Sequence, residues 1–255
     1  MREISIVFIT KNEAHIIGDT LKTIAGITDD IVVGDTGSTD NTIEIAMSLG
    51  CRVERLAWEG FGRTKNKAVA LAKYDWILFL DADEGIDREL HNFLVQFPLN
   101  DIHTAYKIRF KNFIGGTLIR HGEWGRERKL KLFHRSISRW DNAEVHEKVQ
   151  LDDGVKVKMA DGFVLHYLMN NLKEYAEKMN RYAELVAHKY YAENKKASWF
   201  KLYLYPSYQF IGNYFFRLGF LDGRVGFITS FFSSYYAFLK YHRLKELIVS
   251  SKNSH

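Results

Sequence analysis

Apolar and polar positions along the first eighty residues follow a pattern typical of strands that alternate with helices. Short apolar runs predict strands over 4–9, 30–35 and 75–80, and the more polar segment 51–56 is interpreted as the third of four strands. Apolar residues at helical spacing predict helices between them, over 14–25, 41–49 and 64–72. This alternation predicts an α/β fold built on a mostly parallel, Rossmann-like sheet.

The pattern changes after residue 100. Shorter β-like pieces between 104 and 166 predict strands and loops that cover one edge of the sheet. Later apolar positions predict helices over 171–192, 199–216 and 225–247. We therefore expect an α/β domain over 1–168 and a helical, aromatic-rich region over 169–255.

Charge and aromatic residues divide the chain in a similar way. Residues 1–155 hold 21 Lys and Arg against 24 Asp and Glu, whereas residues 156–255 hold 15 against 7. Of the 37 aromatic residues, 17 lie after residue 198. A basic, aromatic tail suits anionic lipid, a glycolipid or nucleic acid. A buried helical pair with a solvated basic face is the alternative.

Cellular location follows from three features of the sequence. Cys51 is the only cysteine, which excludes a disulfide within the chain and fits a reducing compartment. The apolar run after Met1 is too short for a signal peptide. The uncharged stretch 225–239 is shorter than the roughly 20 residues of a membrane span. We expect a cytoplasmic protein whose tail contacts the inner membrane peripherally, or else forms a lid or a dimer contact.

Two carboxylates follow the strand predicted over 75–80. Asp81 and Asp83 are separated by Ala82, and Glu84 adds a third carboxylate. Mg²⁺ and Mn²⁺ prefer oxygen ligands and bridge to phosphate oxygens. Because ligands bind at the carboxyl ends of strands in such sheets, the sequence predicts a site for a divalent metal and a diphosphate here.

Other candidate ligand-binding residues follow the neighbouring strands. Asp35 ends the second strand, where a carboxylate accepts hydrogen bonds from a base or a ribose. The loop after the first strand offers Thr10, Asn12 and Glu13, and a glycine-containing turn leads to Lys65 and Asn66. In the loop after the second strand, residues 38–40 could instead cap the helix that follows, which is the structural alternative to ligand binding. A basic run over 126–135 suits acceptor phosphates or a solvated face.

These motifs, in this order and spacing, resemble those of family-2 glycosyltransferases. The similarity rests on four segments, SIVFITKNE (5–13), VGDTGSTD (33–40), WEGFGRTKN (58–66) and FLDADE (79–84). It extends to 124–133, 145–147, His166 and 220–227, and it is greatest to the lipopolysaccharide-core glucosyltransferase subgroup. The resemblance implies a GT-A fold, a UDP-sugar donor bound within 1–100, an acceptor side over 101–168, and inversion at the anomeric carbon.

The resemblance also implies a general base for the acceptor hydroxyl. The Glu-Asp pair that many members carry after the metal motif is absent here. The nearest counterpart is Glu147, with Glu144 and Asp141 as alternatives. His146 and His166 are further candidates for the metal site.

Together these features predict transfer of a hexose, with glucose expected, to a cell-envelope glycolipid such as the lipopolysaccharide inner core. A peptide, protein or other polysaccharide acceptor is the nearest alternative. A nucleotidyltransferase is disfavoured because no glycine-rich phosphate loop follows the first strand. A basic membrane- or RNA-binding protein without activity would leave Asp81 and Asp83 unused, and we expect no nucleic-acid partner.

Overall fold

The structure is a computed structural model that describes residues 1–143, 147–169 and 172–253. The chain forms two compact units. Unit 1 contains residues 1–111 and 128–166, and unit 2 contains residues 112–127 and 167–255. Unit 2 therefore takes a short segment from the middle of the sequence as well as the C-terminal part.

The first half of unit 1 alternates strands and helices, as the sequence predicted. Its strands are β1 (Ile4–Thr10), β2 (Ile31–Asp35), β3 (Arg52–Arg55) and β4 (Trp76–Asp81). The connecting helices are α1 (Ile17–Thr23), α2 (Thr42–Ser48) and α3 (Phe61–Ala70). The strands are parallel in the order β3-β2-β1-β4, so their carboxyl ends share one edge.

The second half of unit 1 extends this sheet. The further elements are β5 (Glu84–Ile86), α4 (Arg88–Val95), β6 (Thr104–Ile114), β7 (Thr117–Ile119), β8 (Arg128–His134), β9 (Ser138–Trp140), β10 (Val149–Leu151) and β11 (Lys156–Met169). Of these, β7 and the last three residues of β6 and of β11 belong to unit 2. The sheet continues from β4 through β8, β6 and β11 to β5. These strands lie at one edge of the parallel part, as predicted, and they extend the sheet, because β8 pairs antiparallel with Trp76, Ile77 and Leu78 of β4.

Two other sequence-based expectations for this region differ from the structure. The two strands predicted near 155–159 and 162–166 are one strand of 14 residues, β11. Gly162 lies inside it with a φ of +87°, a backbone conformation that glycine adopts without strain, so the strand continues where the sequence suggested a break. Of the strand predicted over 145–149, residues 145 and 146 lie outside the described residues, 147 and 148 are not in a strand, and β10 begins at Val149.

The core of unit 1 lies on both faces of the sheet. All seven residues of β1 are buried. Ile6 and Phe8 pack into one hydrophobic cluster, whereas Val7 and Ile9 pack into another. A strand covered on both faces has no polar positions to alternate with apolar ones, which explains the continuous apolar run in the sequence.

Unit 2 is mainly helical. Its α-helices are α5 (Leu172–Ala192), α6 (Tyr205–Ile211) and α7 (Gly223–Asn253), and wider π-helical turns flank α6 at Phe200–Leu204 and Gly212–Phe216. Tyr175 of α5 meets Phe232 of α7 edge to face at 4.8 Å between ring centroids. Within the described part of the chain, no helix is both long enough and apolar enough to span a membrane.

Asp222 organises the turn before α7. One carboxylate oxygen accepts hydrogen bonds from the backbone N–H groups of Arg120 and His121, at 2.9 and 2.7 Å. The other lies 2.7 Å from Nδ1 of the His121 ring. The side chain of Asp222 is only 5% exposed, so this carboxylate serves the fold of unit 2.

Candidate active site

The loops after β1 and β2 are tied together by hydrogen bonds. Asn12 has a positive φ of 57°, which aims its side chain and backbone at the neighbouring loop. Its Oδ1 accepts the Thr39 N–H at 2.8 Å, and its N–H donates to Ser38 Oγ at 2.9 Å. Glu13 N–H donates to Thr42 Oγ1 at 2.8 Å. The conformation of each loop therefore depends on the other.

Asp35 is fully buried at the end of β2. Its Oδ1 accepts hydrogen bonds from the N–H groups of Gly37 and Ser38, at 2.9 and 3.0 Å, and its Oδ2 accepts one from the Ser38 hydroxyl. Thr10 lies opposite Asp35 in the sheet register, and its buried hydroxyl has no hydrogen-bond partner among the described residues. Asp35 thus holds the turn at the edge of the sheet, and its contact with a nucleotide stays a prediction.

The segment 81–84 follows β4, and the buried carboxylate of Glu84 folds back onto the start of this segment. Glu84 Oε2 accepts the Asp81 N–H at 2.9 Å and the Lys131 ammonium at 2.5 Å. Lys131 Nζ also lies 3.2 Å from Asp81 Oδ2. The carbonyl of Ala82 accepts the Thr20 hydroxyl at 2.8 Å. These bonds fix the backbone that carries Asp81 and Asp83.

Lys131 corrects the interpretation of the basic run over 126–135. Its side chain is 2% exposed, so it belongs to neither a solvated face nor a patch for acceptor phosphates. The reason is that Lys131 lies on β8, where Leu132 and Phe133 are also buried. Arg135, at the other end of the run, pairs with Asp75 at 2.7 Å.

Lys65 brings two predicted acidic site residues together. Its Nζ lies 2.6 Å from Glu147 Oε1 and 3.3 Å from Asp81 Oδ1. The ammonium also stands 4.6 Å from the centre of the Trp140 ring, which favours a cation through the ring's negative face. Lys65 is 4% exposed, so its charge is neutralised by protein groups.

The charge state of Asp81 follows from these neighbours. Burial acts to raise its pKa, but the ammonium groups of Lys131, Lys65 and Lys129 outweigh burial and hold the pKa well below its usual range. Asp81 is therefore ionised at neutral pH.

Asp83 lies beside His166. Asp83 Oδ2 is 3.6 Å from His166 Nε2, and the two side chains are 18% and 9% exposed. The strand register places His166 opposite Glu84, which explains why β11 delivers an imidazole to this loop. A carboxylate oxygen and an imidazole nitrogen suit Mn²⁺ or a similar cation. Among the described residues no group of three or more His, Cys, Asp or Glu is placed so that it could hold a metal ion, so this pair is the most that the protein itself offers here.

Asn66 and Gly62 fix the residues that precede Glu147. The Asn66 amide donates to the Trp140 carbonyl at 2.9 Å and accepts the Trp140 N–H at 3.0 Å. A Cβ on Gly62 would lie 1.8 Å from the Asp141 carbonyl oxygen. Asn66 therefore has a structural role that the sequence analysis did not foresee. The predicted residues Glu144 and His146 lie outside the described residues.

Comparison with known proteins places this geometry in a family. The family model described as glycosyl transferase family 2 matches residues 5–157, which is more than half of the chain. The chain belongs to glycosyltransferase family 2.

Two relatives and one solved structure are similar to this glycosyltransferase. An uncharacterised glycosyltransferase of Rickettsia typhi is 28% identical over 99% of this chain and 90% of its own length. A lipopolysaccharide core biosynthesis glycosyltransferase, LpsC of Rhizobium meliloti, is 26% identical over 92% of this chain and 89% of its own. The crystal structure of S. aureus TarS superposes with a TM-score of 0.46 and 17% identity, over 91% of this chain and about half (55%) of that one.

The family assignment confirms the GT-A fold and the enzyme class expected from the sequence. The protein is a glycosyltransferase with a nucleotide-sugar donor. The individual roles expected for Thr10, Asn12, Asp35 and Lys65 stay predictions. Lys131 and Trp140 are the site residues that the sequence analysis missed. For Lys131 the available signal was its position between Leu130 and Leu132 in an apolar strand.

Proposed function

We propose that this glycosyltransferase moves a hexose from a UDP-sugar to a hydroxyl group of a cell-envelope glycolipid. Glucose is the hexose that we propose. Asp83, on the loop that follows β4, lies 3.6 Å from His166 of β11. This pair is the observation that supports a metal-bound sugar donor. A carboxylate and an imidazole at the carboxyl edge of a parallel sheet suit a metal-bound diphosphate.

Asp83 and His166 would hold the divalent metal, with Asp81 next to it. When bound, the metal would neutralise the charge that develops on the leaving diphosphate. Two protein ligands leave room for phosphate oxygens and water, which suits a site that must release its product. Lys131 and Lys65 keep Asp81 ionised and neutralise its charge, so Asp83 is the carboxylate of this loop that we assign to the metal.

Glu147 is the proposed general base. Inversion requires one group that takes the proton of the acceptor hydroxyl as its oxygen attacks the anomeric carbon. Glu147 Oε1 lies 2.6 Å from Lys65 Nζ, and the same ammonium contacts Asp81. Lys65 thereby holds a carboxylate within reach of the proposed donor site. Asp141 is less suitable, because its Oδ1 faces the nearby Ala143 N–H at 3.3 Å.

A glycolipid acceptor is proposed from the function of a relative and from the aromatic residues of the C-terminal region. LpsC, which aligns over 92% of this chain, is described as a lipopolysaccharide core biosynthesis enzyme. The 17 aromatic residues after residue 198 suit a protein that works at a lipid surface. We accordingly propose that the enzyme acts at the cytoplasmic face of the inner membrane.

The test of the donor site uses metal-dependent UDP binding and UDP release. Asp83→Asn removes the charge from a proposed metal ligand but keeps its shape, so Mn²⁺-dependent UDP binding in calorimetry should fall at least about tenfold. Asp75→Asn is a matched control, because Asp75 precedes β4 and its side chain is 59% exposed. Equal binding by both variants would refute the metal assignment.

The base is tested separately. Glu147→Gln should lower kcat by about 10²–10⁴-fold while UDP-sugar binding stays nearly unchanged. Normal turnover in Glu147→Gln would move the base to another residue, and Asp141→Asn and Glu144→Gln would then identify it. A panel of UDP-sugars, with UDP release as the readout, identifies the donor sugar.

A further inference from the structure

An exposed apolar face runs along the helical segment 200–216 of unit 2. We name it the aromatic face and define it by Phe200, Leu204, Tyr208, Ile211, Phe215 and Phe216. Every one of these side chains is exposed, from 44% at Ile211 to 81% at Phe216. Such a set is unusual, because contiguous exposed apolar patches mark surfaces that bind a protein partner or a membrane.

The spacing of these residues makes the face continuous. The first five recur at intervals of four, four, three and four residues, which places them on one side of a helix. The opposite side is occupied by Leu202, Pro206 and Asn213, which are buried. Ser234 of α7 donates a hydrogen bond to the Pro206 carbonyl at 2.8 Å, so the buried side packs on α7.

The charges around the aromatic face determine which partner it fits. Residues 195–221 include four basic residues, Lys195, Lys196, Lys201 and Arg217, and no Asp or Glu. Lys195, Lys196 and Arg217 are exposed. Lys195 is paired with Glu193 at 2.6 Å, so Lys196, Lys201 and Arg217 supply the excess positive charge. A surface that combines exposed aromatic rings with such an excess complements an anionic bilayer, whose headgroups are negative and whose interior is apolar.

We infer that the aromatic face inserts into the headgroup region of an anionic membrane and holds the enzyme on its surface. Since no described helix can span a bilayer, the helical segment lies in the plane of the interface. The membrane contact is thereby assigned to residues 200–216, whereas the sequence analysis had favoured residues 225–239. Within that later stretch Ser230, Phe232 and Ala237 are buried, which leaves less of it for lipid.

This inference deepens the proposed function, because a glycolipid acceptor resides in such a membrane. The test nevertheless uses vesicles of phosphatidylcholine and phosphatidylglycerol that contain neither acceptor nor donor. Failure to bind these vesicles would therefore not contradict the proposed reaction, and failure of the proposed reaction would not contradict the membrane contact.

The experiment places a fluorescent reporter on the face. Cys51 is the only cysteine, so Cys51→Ala provides a background for single labels. An environment-sensitive dye at Phe216→Cys should shift to shorter wavelength when anionic vesicles are added. The same dye at Met47→Cys is the matched control, because Met47 is 61% exposed on α2 in unit 1. No shift at 216, or an equal shift at 47, would overturn the inference.

A second variant separates lipid from a second copy of the chain. Phe215→Ser combined with Phe216→Ser should weaken co-sedimentation with anionic vesicles at least about tenfold, whereas Met47→Ser should not. UDP release without vesicles should be unchanged in both. A wavelength shift at 216 that grows with protein concentration in the absence of vesicles would show that another copy covers the face, and would overturn the inference.

Discussion

Lys65 shows how a single buried charge can organise a site. Its ammonium is 4% exposed and lies between the carboxylates of Asp81 and Glu147, above the ring of Trp140. A lysine at the start of a helix after a glycine-containing turn suggests contact with a ligand phosphate. In the structure the ammonium contacts two carboxylates that are distant in sequence, and no local pattern reveals such a pairing.

Replacing Lys65 tests this pairing. Lys65→Met keeps the stem that packs on Trp140 but leaves Glu147, 15% exposed, without its counter-charge. Breaking a buried ion pair from one side costs about 3 kcal/mol, so the free energy of unfolding in urea should fall by about that amount. Adding Glu147→Gln should recover part of the loss, since the unpaired carboxylate is removed. Two losses that simply add would show that the pair is not coupled.

Helices and strands differ in how much of them the sequence could predict. β1, β2, β3 and β4 occur within one residue of their predicted starts. β1, β2 and β4 are short apolar runs between polar turns, whereas β3 has a single apolar residue, Val53, and lies at the end of the sheet. α3 begins at Phe61, three residues before its predicted start, because Gly60 and Gly62 suggested a loop. β5 and α4 were not foreseen. β5 consists of three residues that are strand only because they pair with β11.

The candidate site, like the elements, was predictable where it depends on the local sequence and unpredictable where it depends on contacts between distant strands. The sequence pattern identified Asp81 and Asp83, because they directly follow a buried strand. It did not reveal that Glu84 and Lys131 form a buried pair behind them, since β4 and β8 meet only in the folded sheet. The glycines of the turn have a packing role that depends equally on tertiary contacts.

Two glycines in helical segments provide a matched test of that packing role. Gly62→Ala would place a Cβ 1.8 Å from the Asp141 carbonyl oxygen, where the backbone must move. It should lower the free energy of unfolding by at least about 2 kcal/mol, as overpacking does. Gly212→Ala meets nothing within 4 Å and has a helical φ, so it should be neutral or stabilising by up to about 1 kcal/mol. Thermal unfolding of both variants measures the difference, and equal effects would contradict the contact at Gly62.

On the scale of the whole molecule, charge is segregated along the chain. Residues 1–155 carry a small excess of acidic residues, whereas residues 156–255 carry 15 basic residues against 7 acidic ones. The acidic residues of the first half include Asp81, Glu84 and Glu147, whose charges are neutralised by Lys65 and Lys131. Of the basic residues near the aromatic face, Lys196 and Arg217 are exposed, and the sequence has no Asp or Glu between 195 and 221, although Lys195 pairs with Glu193. Salt should therefore affect the two parts differently.

Raising the NaCl concentration from about 0.05 M to about 0.5 M shortens the screening length from roughly 13 Å to roughly 4 Å. Attraction between exposed lysines and an anionic bilayer, about 1 kcal/mol per residue near the surface, is largely lost under these conditions. Binding to anionic vesicles should fall at least about tenfold. UDP release from a soluble donor should change by less than about twofold, because buried ion pairs such as Lys131 with Glu84 are screened much less. If vesicle binding and UDP release fell together, the charges of the donor site would be open to solvent. If vesicle binding did not respond to salt, the basic residues would not contribute to it and the aromatic face would bind lipid through apolar contact alone.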